Sequence, residues 1–138
     1  MHALPYLFFN GHAKEAIAFY KTAIGITDEV VMTYKDSPVP PQPGCEPPSL
    51  DLVMHAQFKV GDTAVFLSDG LGGGKTNFDG FSVVINADAV PDAERIFKAL
   101  TAGGAVTAPL TETFFAKTFG MVKDKFGMNW MLIVPKPM

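Results

Sequence analysis

The sequence lacks the features of disulfide-bonded, nucleic-acid-binding and membrane proteins. Its 138 residues include a single cysteine, Cys45, which excludes an internal disulfide and indicates a reducing, cytoplasmic setting. Lys and Arg number 11 against 14 Asp and Glu, so the formal net charge is -3 and no basic field exists to attract nucleic acid. No apolar run approaches the ~20 residues of a membrane span, and residues 1–5 do not resemble a secretory signal. No nucleic-acid or membrane partner is therefore expected.

Candidates for metal coordination are also few. The three histidines, His2, His12 and His55, form no HxH or HxxxH pattern and have no cysteine pair beside them. Because zinc and iron sites need several such ligands at short spacings, neither a metal nor another cofactor is expected. The glycine-rich residues 70–76 are similar to a phosphate-binding loop, but they depart from its motif in two ways. Asp69 occupies the position of the first glycine, and a strand is expected after the loop, where the motif needs a helix. They are interpreted as part of a linker.

Phenylalanine, in contrast, is abundant, with 12 residues, and hydrophobic periodicity orders the chain into two similar halves. Each half has the pattern of a strand, a helix and three further strands. The sequence thus predicts an α+β protein of two βαβββ modules. The first module is expected at 1–70 and contains a proline-rich loop at 35–50. A glycine-rich linker is expected at 71–79, and the second module at 80–138.

The two predicted helices have apolar stripes at helical spacing. Asn10 is the predicted N-cap of the first, Gly25 its left-handed end, and Asp88 and Pro91 mark the start of the second. Strands are predicted before them at 4–9 and 81–86. The residues predicted to be buried by the helices are Ala13, Ala16, Ile17, Tyr20 and Ile24 in the first and Ala93, Ile96, Phe97 and Leu100 in the second.

A strand predicted at 52–60 alternates apolar and polar residues. If its apolar positions, among them Met54 and Phe58, pack on a helix, His55 and Gln57 face the other way. That second face is solvent in an open sheet and a cavity in a curled one, and the sequence leaves both possibilities open. In the last strand, Trp130 is expected in the core.

Longer motifs resemble the vicinal oxygen chelate superfamily, which has the glyoxalase, bleomycin-resistance and extradiol dioxygenase fold. Residues 5–20, PYLFFNGHAKEAIAFY, are similar to the opening of its PhnB-like branch, as are residues 54–56 with 67–69 and residues 112–116 with 124–130. Members of this branch are also labelled 3-demethylubiquinone-9 3-methyltransferase-like. Nothing in the sequence resembles a methyl-donor fold, so that activity is not carried over. The resemblance implies two βαβββ modules, each a mixed, curled sheet with its helix on the convex face, and a homodimer.

The resemblance also implies where metal-dependent members of the superfamily place their ligands. Those positions match Pro5, Val65 or Phe66, Phe81 and Met131, and none of these side chains binds a hard divalent cation. We therefore expect the same region to form a metal-free, apolar cleft. Its predicted apolar wall is Pro5, Leu7, Val65, Phe81, Val83 and Met131, and its predicted polar groups are His55, Gln57, Asn129 and Glu112.

Three functions are consistent with these features. The first is a protein that binds a small apolar or aromatic molecule in the cleft. The alternative is an enzyme in which His55 or Glu112 acts as general base on a small carbonyl or enolisable substrate. For that role Glu112, close to Phe114 and Phe115 in the chain, would be partly desolvated and have a raised pKa. The third is a module that binds a partner through the proline-rich loop. Open sheet edges and a Phe-rich surface also predict a homodimer.

Overall fold

The first part of the chain is one four-stranded sheet with one helix. A computed structural model describes residues 1–72 and 74–137, and the chain divides into two compact units, Met1–Thr76 and Asn77–Met138. Gly73, in the predicted linker, and Met138, in the predicted second module, lie outside the described residues. The elements of the first unit are β1 (Tyr6–Phe8), α1 (Ala13–Ala23), β2 (Thr27–Thr33), a 3-10 turn (Tyr34–Asp36), β3 (Val53–Val60) and β4 (Thr63–Ser68).

The first sheet has the strand order β1-β4-β3-β2, with β1 parallel to β4 and the other pairs antiparallel. Its core face includes Leu7, Ala56 and Phe58, all buried. Helix α1 covers this face, since the buried Tyr20 ring lies 6.1 Å from that of Phe58. We call the opposite side the open face. It carries Tyr6, Phe8, Val30, Met32, His55, Gln57 and Phe66.

Strand β3 departs from simple alternation at its beginning. Met32 lies opposite His55, but Thr33 lies opposite Val53, so the pairing shifts by one residue between them. Such a bulge turns the following side chains to the other face. Val53 is therefore fully buried and Met54 only half-buried. The predicted alternation is confirmed at Phe58 and wrong at Met54.

Asp69, directly after β4, is a buried carboxylate that joins three parts of the first unit. Its Oδ1 accepts hydrogen bonds from the backbone amides of Gly11 at 2.7 Å and Ala13 at 2.9 Å. Its Oδ2 accepts one from the amide of Val53 at 2.9 Å. The first amides of a helix have no partner within the helix, and a negative charge is favourable beside them. Asp69 thus fixes the start of α1 against the start of β3.

The predicted N-cap of α1 is wrong. The N-cap residue is His12, whose side chain makes no capping hydrogen bond. Asn10 instead adopts a left-handed backbone, with φ 49°, and its side-chain amide donates to the carbonyl of Lys75 at 3.0 Å. The capping role passes to Asp69, which is remote in sequence. At the other end of the helix, Gly25 has φ 85°, as predicted.

The second unit repeats the architecture of the first. Its sheet has the order β5-β8-β7-β6, with β5 parallel to β8. The four predicted α2 residues are all buried, and so is Trp130. Gly120 lies on the core face, where an added Cβ would come within 3.0 Å of the Phe97 ring, so glycine allows the helix to approach closely. The elements are β5 (Val83–Asn86), α2 (Val90–Thr101), β6 (Ala105–Thr111), β7 (Ala116–Lys123) and β8 (Asn129–Pro135).

A second buried carboxylate organises the turn between β7 and β8. Asp124 Oδ1 accepts hydrogen bonds from the amides of Phe126 at 2.8 Å and Met128 at 3.0 Å. Its Oδ2 accepts one from the Trp130 indole Nε1 at 2.9 Å. The indole is fully buried and needs a partner for its N–H. The turn and the largest core side chain are therefore held by one group.

The expected α+β fold of two βαβββ halves is confirmed. The strands before the helices are shorter than predicted, because β1 covers only residues 6–8 and β5 begins at Val83. Phe81 consequently precedes its strand. Within residues 1–72 and 74–137, no helix has the length and hydrophobicity to cross a membrane.

We predict that Asp69→Asn destabilises the protein by roughly 2–4 kcal/mol, because an amide nitrogen would replace one acceptor oxygen opposite a buried backbone N–H. Urea unfolding measures the change. Asp51→Asn removes the same charge from an exposed side chain and is the matched control, with an effect within about 0.5 kcal/mol. Equal midpoints for the two variants would contradict the role given to Asp69.

Candidate ligand site

The open face of the first sheet carries a group of half-exposed aromatic rings. The short strand β1 points Leu7 into the core, so Tyr6 and Phe8 point the other way and are 41% and 52% exposed. Their rings stack with centroids 5.0 Å apart. The Phe66 ring, from the neighbouring strand β4, meets Tyr6 edge-on at 6.1 Å. The three rings form one contiguous apolar surface, which we call the aromatic platform.

His55 supplies a polar group beside the aromatic platform. Its Nδ1 lies 3.0 Å from the Tyr6 hydroxyl, and its ring lies 5.2 Å from that of Phe66. The other ring nitrogen, Nε2, makes no hydrogen bond to any described residue. In the described part of the chain, every fully buried side-chain nitrogen or oxygen has a hydrogen-bond partner. Because Nε2 of the half-buried His55 has none, this atom is exposed to solvent. Gln57, two residues along β3, lies on the same face.

Tyr34 borders a separate pocket of about 300 Å³ beside the proline-rich loop. Its hydroxyl donates to the carbonyl of Gly70, which ties the loop to the end of β4. Burial raises the pKa of Tyr34, with smaller contributions from Tyr6 and Asp69. Cys45 and Met54 are also in the wall, but the wall contains no His, Asp or Glu among the described residues. The wall of this pocket therefore offers the Cys45 thiol no His, Asp or Glu as a base.

In the second unit, Phe81, Asn129 and Met131 line one open pocket of about 480 Å³ together with Thr107 and Met121. The Asn129 side-chain amide donates to the carbonyl of Phe78 at 2.9 Å, which fixes its orientation. Three residues predicted for the cleft are thus brought together within this unit. Phe81 reaches the pocket from the segment before β5 and is 45% exposed.

Other residues predicted for the apolar wall lie elsewhere. Leu7 and Val65 are each only 1% exposed and belong to the core face of the first sheet, so they are not available to a ligand on the open face. Val83 is opposite Trp130 on the core side of the second sheet. Pro5 is half-buried, and its carbonyl accepts a hydrogen bond from the amide of Phe66 at 3.0 Å.

Glu112 differs from its sequence-based expectation. It is exposed, and its Oε2 lies 2.9 Å from Nζ of Lys136. The hydrogen bond from Lys136, and then its positive charge, hold the pKa of Glu112 below its usual value of 4.5. The expectation of a raised pKa is wrong, because the hydrogen bond and the charge of Lys136 outweigh the smaller effect of desolvation on the carboxylate. A lowered pKa makes Glu112 a weaker base.

The side chains at the positions implied by the resemblance do not fit a divalent cation. Pro5, Val65, Phe66 and Phe81 have no donor atom, and Met131 offers only a soft thioether. Within residues 1–72 and 74–137, no group of three or more His, Cys, Asp or Glu side chains is placed to hold a metal ion.

Sequence reasoning missed the aromatic platform and Asp69. Tyr6 and Phe8 flank Leu7 in β1, so a strand places them on the face opposite Leu7. Because all three residues are apolar, the sequence does not show which face the helix covers. No local signal marks Asp69, because its partners lie 16, 56 and 58 residues away.

The same arrangement of strands and helices occurs in solved structures. Protein PA1353 from Pseudomonas aeruginosa is 36% identical, with a TM-score of 0.82, and the match covers 97% of each chain. A glyoxylase/bleomycin resistance protein/dioxygenase domain from Frankia sp. EAN1pec is 15% identical, with a TM-score of 0.65, over 98% of this chain and 95% of that chain. The fold is therefore that of the glyoxalase/bleomycin-resistance/dioxygenase proteins.

The family assignment is more specific. The family model described as "3-demethylubiquinone-9 3-methyltransferase" matches residues 1–133. Protein YjdN from Escherichia coli (strain K12) is 32% identical over 138 residues, which covers 96% of this chain and 94% of YjdN. The chain belongs to this family, and the resemblance to the PhnB-like branch, which carries the same label, is confirmed.

We predict that the Glu112 carboxylate titrates below 4.5 and that Lys136→Gln moves its midpoint upward, because the ammonium partner is removed. Since the folded pKa is lowered, the pair stabilises the fold above the usual glutamate pKa, and this contribution is lost as pH falls through the folded value. Carboxyl-carbon NMR titration of the two proteins measures the shift. An unchanged midpoint in Lys136→Gln would show that the pair does not form in solution.

Proposed function

We propose that the protein binds a small aromatic molecule on the open face of its first sheet. The observation that carries this proposal is the aromatic platform of Tyr6, Phe8 and Phe66. Ligand sites combine apolar and aromatic side chains with a small number of polar groups that fix the orientation of the ligand. In this chain the polar groups are His55 and Gln57.

The platform is suited to a flat ring because it is already ordered. Tyr6 and Phe66 lie on paired strands, and the Tyr6 hydroxyl is fixed by His55 at 3.0 Å. A ligand ring that stacks on Tyr6 or Phe8 therefore orders few side chains on binding, and this lowers the entropic cost. Aromatic contacts contribute about 0.5–1.5 kcal/mol each beyond the burial of apolar area.

The proposal involves neither a metal ion nor Glu112. The side chains that stand where metal-dependent relatives are expected to have ligands supply no hard donor atoms. The Lys136 ammonium lowers the pKa of Glu112 and so weakens it as a general base. What remains is a site that orients a ligand through apolar contact and hydrogen bonds.

We test this with acetophenone, a small aromatic probe, in a titration followed by amide NMR shifts. Phe8→Ala is predicted to raise Kd about fivefold, since one stacking partner is lost. Leu50→Ala is the matched control, because Leu50 is a 51% exposed apolar residue of the first unit that lies outside the sheet, and it leaves Kd unchanged. Dialysis against EDTA also leaves Kd unchanged.

Two results would overturn the proposal. The first is an absence of shifts at β1, β3 and β4 at millimolar acetophenone. The second is a set of shifts confined to the pocket around Phe81, Asn129 and Met131, which would assign the ligand site to the second unit.

We also propose that the protein is a homodimer. Among the residues that the structure describes, the outer strands of the first sheet, β1 and β2, and of the second sheet, β5 and β6, each pair on one side only. Val30, Val31 and Met32 on β2 are each about two-fifths exposed, at 45%, 40% and 39%. Exposed apolar edge strands favour association.

Light scattering coupled to size exclusion measures this directly. We predict a mass twice the 14.8 kDa of the chain. A mass of one chain across the micromolar range would contradict the homodimer and leave the ligand proposal untouched.

A further inference from the structure

We propose that the ligand of the open face carries an acceptor oxygen conjugated to its aromatic ring, as in an aryl ketone, aldehyde or carboxylate, and that His55 Nε2–H donates a hydrogen bond to that oxygen. This inference rests on the proposed function and deepens it. The geometry that supports it is the contact between Tyr6 and His55, which determines whether the other ring nitrogen, Nε2, is a hydrogen-bond donor or an acceptor.

The 3.0 Å contact joins the Tyr6 hydroxyl to Nδ1 of His55. Two arrangements are possible in a neutral imidazole, since one ring nitrogen carries the hydrogen and the other accepts. The phenolic O–H is a good donor, and an unprotonated imidazole nitrogen is a better acceptor than a phenolic oxygen. The favoured arrangement is therefore Tyr6 O–H to Nδ1, which places the imidazole hydrogen on Nε2.

In the reverse arrangement, Nδ1–H would donate to the Tyr6 oxygen. The exposed Tyr6 hydroxyl would then turn its hydrogen to water, since no other hydrogen bond of Tyr6 is found among the described residues. When the imidazole is protonated, both nitrogens carry hydrogen and Nε2 is again a donor. In the favoured neutral form and in the charged form, His55 thus presents an N–H to a ligand.

This has a chemical consequence for the alternative function suggested by the sequence. A general base must offer a lone pair to the proton that it removes. Nε2 has no free lone pair in either form, and Nδ1 is occupied by Tyr6. His55 therefore acts as a hydrogen-bond donor, and Tyr6 is a positioning residue that sets the tautomer.

The location of His55 explains why the acceptor should be attached to an aromatic ring. The imidazole contacts both Tyr6, with ring centroids 5.6 Å apart, and Phe66, at 5.2 Å. A ligand ring on the aromatic platform would therefore lie beside the imidazole, and a substituent on that ring is the group that Nε2–H could reach. A carbonyl conjugated to the ring stays in the ring plane and presents its oxygen at the edge of the ring.

The tautomer can be measured without any ligand. Long-range proton-nitrogen NMR of imidazoles distinguishes Nε2–H from Nδ1–H, and the His55 signals are assigned by their loss in His55→Phe, with His12→Phe as the matched control. We expect the Nε2–H form in the wild type and a mixture of tautomers in Tyr6→Phe. A purely structural role for Tyr6 would leave the tautomer unchanged. An Nδ1–H tautomer in the wild type would overturn the inference.

The second test compares two probes of similar size and shape, acetophenone and α-methylstyrene, in which a methylene group replaces the carbonyl oxygen. We expect His55→Phe to raise the Kd of acetophenone about fivefold relative to its effect on α-methylstyrene, because one hydrogen bond is lost for the ketone alone. His12→Phe should change neither constant. The comparison of ratios cancels the difference in hydrophobicity between the probes.

The outcomes separate this inference from the proposed function. If both probes bind and His55→Phe changes their Kd values by the same factor, the platform binds aromatic rings but His55 donates no hydrogen bond, and the inference fails alone. If neither probe binds the wild type, the proposed function fails, and the inference about the ligand fails with it.

Discussion

The buried carboxylate of Asp69 is the group on which the first unit depends. It lies at the end of β4 and accepts backbone N–H groups from the turn before α1 and from the beginning of β3. A buried carboxylate must have its oxygens satisfied, so these three segments have little freedom to shift against one another. The hydrogen bond to Val53 also coincides with the bulge that turns Val53 inward. Asp124 plays the matching part in the second unit, where it satisfies a turn and the buried indole of Trp130.

The position of β1 follows from this constraint and determines the candidate site. Once the β1–α1 turn is held by Asp69, strand β1 pairs in parallel with β4 and places Tyr6 next to Phe66. The alternation of side chains then sends Leu7 to the core and leaves the aromatic rings on the open face. Because β3 is held in register on the other side of β4, His55 comes within hydrogen-bond distance of Tyr6. The polar contact of the site is thus a result of strand register.

Much of the fold was predictable from the sequence, and particular residues show which features were not. The helical stripes at Ala16 and Ile96 were evident, because apolar residues at helical spacing bury together whatever they pack against. Met54 was misplaced, since a bulge in one strand depends on the pairing with its neighbour. Glu112 was misjudged, because its pKa depends on Lys136, which is 24 positions further along the chain. Nearby Phe residues in the sequence did not imply a raised pKa.

The sequence by itself determined the element order, the duplicated βαβββ architecture, the buried stripes and the family, because these depend on local periodicity and on motifs within short segments. Tertiary structure alone decided which of the residues predicted for the cleft lie in the core and which are exposed. It placed Leu7 and Val65 in the core, paired Glu112 with Lys136, and joined His55 to Tyr6 across 49 positions of the chain. The physical reason is that a strand residue can lie on either face of the sheet. Strand register, set here by a buried carboxylate, determines which face it occupies.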